Sequence, residues 1–146
     1  MQCWKRLKHP HLVKILGHYE SMHRVFFTME YARGEDMPHY LQKNGPVKEY
    51  QAMIWVSQVI SAVNYMHTGE IVHRDLKLKN IALFPDEGSV IKIGDFGFAR
   101  SMIGGVALSE TFCGSKSYLA PEISMGMPYD PYKSDLCCAD KQGKSE

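Results

Sequence analysis

The chain has 146 residues, 45% of them apolar and 23% charged, with a formal net charge of +1. That length suits one domain with its own core, and the composition excludes collagenous and disordered chains. So small a net charge supplies no global field for nucleic acid or an acidic membrane, and Lys5, Arg6, Lys8 and Lys14 read as a solvated basic surface.

In chain order, residues 12–16 and 25–29 are short β-prone runs, separated by a connection over 17–23. Arg33-Gly34-Glu35-Asp36 and Asn44-Gly45-Pro46 break the pattern, leaving room for a short helix over 37–43. Between residues 47 and 67, Ala52, Trp55/Val56, Val59/Ile60, Val63 and Met66 recur at helical spacing, and Gly69 is the expected stop. The period then shortens to strands at 71–73, 81–84 and 90–93, the last two joined across Pro85-Asp86-Glu87-Gly88. Residues 94–131 are rich in Gly, Ser and Pro and read as a loop. So long a loop within one domain implies a functional one.

Cys3, Cys113, Cys137 and Cys138 form no CxxC pair and no zinc spacing, so neither a disulfide nor a metal framework is expected. That usage fits a reducing compartment, the cytoplasm or the nucleus. No apolar leader opens the chain, and residues 52–66 are too few to cross a bilayer.

Three short motifs stand in order. His73-Arg74-Asp75-Leu76-Lys77-Leu78-Lys79-Asn80 has the H-R-D-L-x-x-x-N pattern, Asp95-Phe96-Gly97 follows, and Ala120-Pro121-Glu122 closes the set. Each alone is weak; together, with a hairpin between the first two, they are specific. Phosphoryl transfer accounts for the residue types, because it needs positioning and charge neutralisation more than covalent help. Asp75 would accept the proton of an incoming hydroxyl, and Lys77 would place positive charge on the transferring group. Asn80 and Asp95 offer the hard oxygen ligands that Mg²⁺ takes. Lys79 reads as a surface lysine, and His73 as a packed core histidine.

On these motifs the chain resembles the eukaryotic protein kinases over roughly residues 5–135. The resemblance implies an α+β, partial protein-kinase-like fold: the end of the small lobe and the first part of the mainly helical large lobe. It implies ATP and Mg²⁺ as cofactors and a protein substrate with a Ser or Thr acceptor, with neither nucleic acid nor membrane as a partner. Met29, Glu30, Tyr31 and Ala32 are similar to the gatekeeper and the hinge that receives adenine, and Asp36 falls where an acid commonly meets the ribose. Without the resemblance, Met29 would read as a buried Met and Asp36 as a solvated acid. His73 and Phe96 match a pair that stacks in the family's structural spine. Lys77, together with Gly114-Ser115 before Tyr118, resembles serine/threonine rather than tyrosine kinases. Asp95-Phe96-Gly97-Phe98-Ala99-Arg100, residues 108–115 and Pro128-Tyr129-Asp130-Pro131 look like the testis-specific serine kinase branch. Thr111 sits where activation-loop phosphorylation occurs in such kinases, and Arg74 would pair with the phosphate.

The chain also departs from that pattern. No G-x-G-x-x-G occurs in it, and the family's phosphate-binding lysine and that lysine's glutamate partner would lie upstream of Met1. Residues 136–146 resemble no kinase segment and are expected to form a divergent polar tail after a kinase-like region over 1–135. Alone, the 146 residues are expected to be marginally stable and inactive, with the apolar face of the 47–67 helix poorly covered. An alternative function follows: a catalytically silent truncated kinase that competes for the parent enzyme's substrates or for a chaperone.

Overall fold

The computed structural model describes residues 2–84, 89–104, 109 and 120–141. Its longest element is the helix at Glu49–Thr68, here α3, ended by Gly69. Trp55, Ala62, Val63 and Met66 are buried along one side, as the helical spacing predicts. Each large apolar side chain so removed from water contributes about 1.5–3 kcal/mol. The apolar stripe is wider than the covered face, however: Met53, Val56 and Ile60 remain exposed beside it.

Two other helices frame α3. Helix α1 (Gln2–Arg6) carries Trp4 into the main core, where its indole Nε1–H donates to Val13 O at 2.8 Å. Helix α2 (Met37–Asn44) starts at Asp36, whose carboxylate accepts from the His39 N–H, and stops at Gly45 with φ +76°. The strands form three two-stranded antiparallel sheets among the described residues. Strands β1 (Ile15–Glu20) and β2 (Val25–Met29) make the first. Strands β4 (Ile81–Phe84) and β5 (Val90–Ile93) make another; the connection between them, 85–88, lies outside the described residues. The sequence reading assigns 17–23 to a connection, but Gly17–Glu20 pairs with Val25–Thr28. Only the turn closed by Ser21 N–H on Arg24 O at 2.8 Å remains. Cross-strand pairs such as Tyr19 with Phe26 support that extension, and they are invisible to a local pattern.

The stretch read as a loop over 94–131 likewise holds short elements. Phe96–Phe98 forms a 3₁₀ turn, and β6 (Arg100–Ser101) pairs with β3 (Ile71–Val72). Helix α4 spans Pro121–Ser124, and Ser109 exchanges two backbone hydrogen bonds with Tyr129, at 2.8 and 3.1 Å. All these pairings are non-local, which is why composition alone reads the segment as loop.

Helix α5 (Pro131–Lys141) runs through the boundary expected at residue 135, and Cys138 is buried in the main core with Met66, Ile71 and Leu76. A second core cluster joins Met37, Trp55, Ile81 and Ile91. The irregular Arg33–Asp36 stretch docks on β4, where Leu83 N–H donates to Glu35 O at 3.1 Å. Gly34 is required there: a Cβ on it would stand 2.3 Å from Leu83 O.

Candidate active site

The segment from His73 to Asn80 leaves β3 and is held from three sides. Asp135, on α5, is a buried carboxylate whose Oδ2 accepts from His73 N–H at 2.8 Å and whose Oδ1 accepts from Arg74 N–H at 2.7 Å. The same Oδ2 lies 3.0 Å from His67 Nε2 on α3. With both backbone donors committed to Asp135, Arg74 keeps the left-handed φ of +67° that turns the chain toward Asp75. The Arg74 guanidinium Nε–H donates to Phe98 O at 2.8 Å, tying the segment to the turn after Asp95.

His73 provides the second anchor. Its Nδ1 accepts the Asp75 N–H at 3.3 Å, so its Nε2 carries the proton and donates to Gly94 O at 3.0 Å. The ring is fully buried, and desolvation holds its pKa below the ordinary imidazole value, which keeps that tautomer neutral. It packs against Phe96 with ring centroids 5.2 Å apart, and Phe96 stacks in turn on Trp4 at 5.2 Å. His73 and Phe96 thus hold their neighbours in position.

Asp75 is buried, and its Oδ2 accepts from Lys77 Nζ at 2.6 Å and from Asn80 Nδ2 at 3.2 Å. Asn80 Nδ2 also donates to Asp75 O at 2.9 Å. The amide nitrogen is thus spent on Asp75, and the Asn80 Oδ1 end is left as a hard acceptor. Asp95 is exposed, at the left-handed φ of +55°, with Oδ1 accepting from Gly97 N–H at 3.3 Å. The Asp75 carboxylate meets an ammonium and an amide, and the exposed Asp95 carboxylate follows Gly94, whose N–H donates to Asn80 O at 2.8 Å. These are donor types that a Mg²⁺–phosphate site uses.

The remaining sequence candidates sit apart from this cluster. Met29 ends β2 and is exposed, as is Tyr31; Ala32 is half-buried against the main core. The Glu30 carboxylate bridges Lys14 N–H at 2.6 Å and Lys92 Nζ at 2.9 Å. The Asp36 carboxylate caps α2 through His39 N–H at 3.0 Å and meets His39 Nδ1 at 2.6 Å. The backbone bond first, and the ring second, hold its pKa below the usual carboxylate range. Lys79 is exposed, as a surface lysine should be. Thr111, with Cys113, Gly114, Ser115 and Tyr118, lies outside the described residues. Sequence reading missed the anchoring part of Asp135, which stands some 60 positions from the backbone it holds. No local signal could have found it.

Comparison with known proteins settles the family. The family model described as protein kinase domain matches residues 1–137. The chain belongs to the protein kinase family. It is 37% identical to the human (Homo sapiens) testis-specific serine/threonine-protein kinase 4 over 92% of this chain and 45% of that protein. It is 42% identical to NUAK family SNF1-like kinase 2 of Pongo abelii, over 88% of this chain and 20% of that protein. The chain thus spans less than half the length of these curated relatives. As a kinase domain fragment it has the α+β character of a partial kinase fold, and its relatives are serine/threonine kinases. The kinase family uses ATP and Mg²⁺ and acts on protein substrates. No helix among the described residues is long and apolar enough to cross a membrane.

Proposed function

We propose that this chain supplies the catalytic loop and the metal-binding segment of a serine/threonine kinase that moves the γ-phosphate of ATP to a protein hydroxyl. The observation that carries the reading is the Asp75–Lys77–Asn80 constellation, with Asp75 Oδ2 held 2.6 Å from Lys77 Nζ. Asp75 orients the acceptor Ser or Thr hydroxyl and takes its proton as the oxygen attacks phosphorus. Lys77 neutralises charge that builds on the equatorial oxygens. Asn80 Oδ1 and the Asp95 carboxylate would hold Mg²⁺, which supplies charge neutralisation across the phosphates when bound. The backbone of Glu30–Ala32 would take the adenine edge beside Met29, and Asp36 the ribose. In the same reading phosphorylation of Thr111 raises activity, with Arg74 pairing with the phosphate.

The test is a chimera in which residues 1–137 replace the matching segment of the human testis-specific kinase. It should transfer phosphate from Mg·ATP to a Ser/Thr peptide, and Asp75→Asn should lower that rate by about 10²–10⁴-fold, the usual contribution of a positioned general base. A chimera whose Asp75→Asn form works equally fast overturns the assignment.

A further inference from the structure

Strand β5 reads Val90-Ile91-Lys92-Ile93, and its lysine is buried, only 6% exposed. A buried ammonium costs several kcal/mol unless it is paired and hydrogen-bonded. The β4–β5 register sets Lys92 opposite Ala82, with Phe84 and Val90 on the same face of the ladder. Lys92 Nζ accordingly lies 4.3 Å from the Phe84 ring centroid, a cation–π distance. It also reaches Glu30 Oε2 at 2.9 Å, across 62 positions of sequence.

Glu30 is held from its other side as well. Its Oε1 accepts from Lys14 N–H at 2.6 Å, and its own N–H donates to Lys14 O at 3.0 Å. Both carboxylate oxygens are thus engaged, one by the residue before β1 and one by β5. Residue 30 cannot shift without breaking two charge-assisted hydrogen bonds. The next two residues contrast with it: among the described residues the backbone groups of Tyr31 and Ala32 take part in no hydrogen bond. A pinned residue is followed by a free donor–acceptor edge.

We propose that Lys92 is a positioning residue for nucleotide recognition, fixing Glu30 so that the open backbone edge of residues 30–32 meets an adenine ring in one register. The proposal rests on the hinge reading given under Proposed function and adds the residue that holds the hinge in place. A merely structural ion pair would stabilise the fold without setting the order of that edge.

The experiment uses the full 146-residue chain, its Lys92→Met and Lys92→Arg forms, and adenosine as the probe, with amide hydrogen exchange recorded in parallel. Lys92→Met should weaken adenosine binding and speed exchange of the Glu30 amide, whose N–H bonds to Lys14 O, by about tenfold, the scale of one charge-assisted hydrogen bond. Exchange in β4 should keep its protection, and Lys92→Arg should restore most of both effects. If Lys92→Met fails to fold, Glu30→Gln gives the same readouts with a neutral partner of the same shape. Unchanged exchange at residue 30 together with unchanged adenosine affinity overturns the proposal. So does a uniform loss of protection across the chain, which marks a purely structural pair. An unmodified chain that takes up no adenosine overturns the hinge reading and the nucleotide part of this one, while the exchange rates still decide whether Lys92 clamps residue 30.

Discussion

Asp135 places a carboxylate with almost no solvent contact where His73, Arg74 and His67 converge on it. Two of those groups are backbone N–H donors that no strand or helix ladder satisfies, so their hydrogen bonds depend on one side chain. Removing it leaves each donor buried and unpaired, at about 1–3 kcal/mol apiece. Asp135→Ala should therefore lower the urea midpoint by the equivalent of several kcal/mol, whereas Asp130→Ala, at the start of the same helix, should cost far less. Equal losses from the two would mean that the carboxylate does no more than cap a helix. Asp75, Lys77 and Asn80, the residues proposed to carry the chemistry, were legible as one group in the sequence because they lie within six positions of one another. Asp135 was not, because its whole contribution is made across the fold.

At the scale of elements, α3 was legible for the opposite reason: 20 residues of sustained period leave little ambiguity about its type. The extension of β1 through Glu20 and the short β6 were hidden, since each exists only through a partner strand. Gly34 shows how such partnerships constrain single residues. The backbone of β4 approaches so closely that any side chain at position 34 would displace Leu83 O, a main-chain atom that cannot swing aside. Gly34→Ala should destabilise the chain by about 1–3 kcal/mol, the usual cost of overpacking. Exchange should rise at Leu83, whose N–H bonds to Glu35 O. An alanine variant as stable as the unmodified chain would place that loop farther from β4 than it is here.

For the whole molecule, the proposed function divides labour between a buried base and a more exposed metal ligand. Asp75 is locked by Lys77 and Asn80, while Asp95 stands exposed at the start of the turn that carries Phe96. The expected apolar exposure on α3 is present at Met53, Val56 and Ile60, alongside a main core that joins α1, α3, β3 and α5. Membership of the kinase family follows from the match over residues 1–137, and the distribution of tasks among these side chains is the part still to be tested. The most direct measurement is a calorimetric titration of the chain with ATP, with and without Mg²⁺, in the unmodified, Asp95→Asn and Asp75→Asn forms. The account predicts ATP binding that Mg²⁺ strengthens in the unmodified and Asp75→Asn chains, with the Mg²⁺ effect lost in Asp95→Asn. ATP binding that ignores Mg²⁺, or a Mg²⁺ effect that survives Asp95→Asn intact, would contradict it.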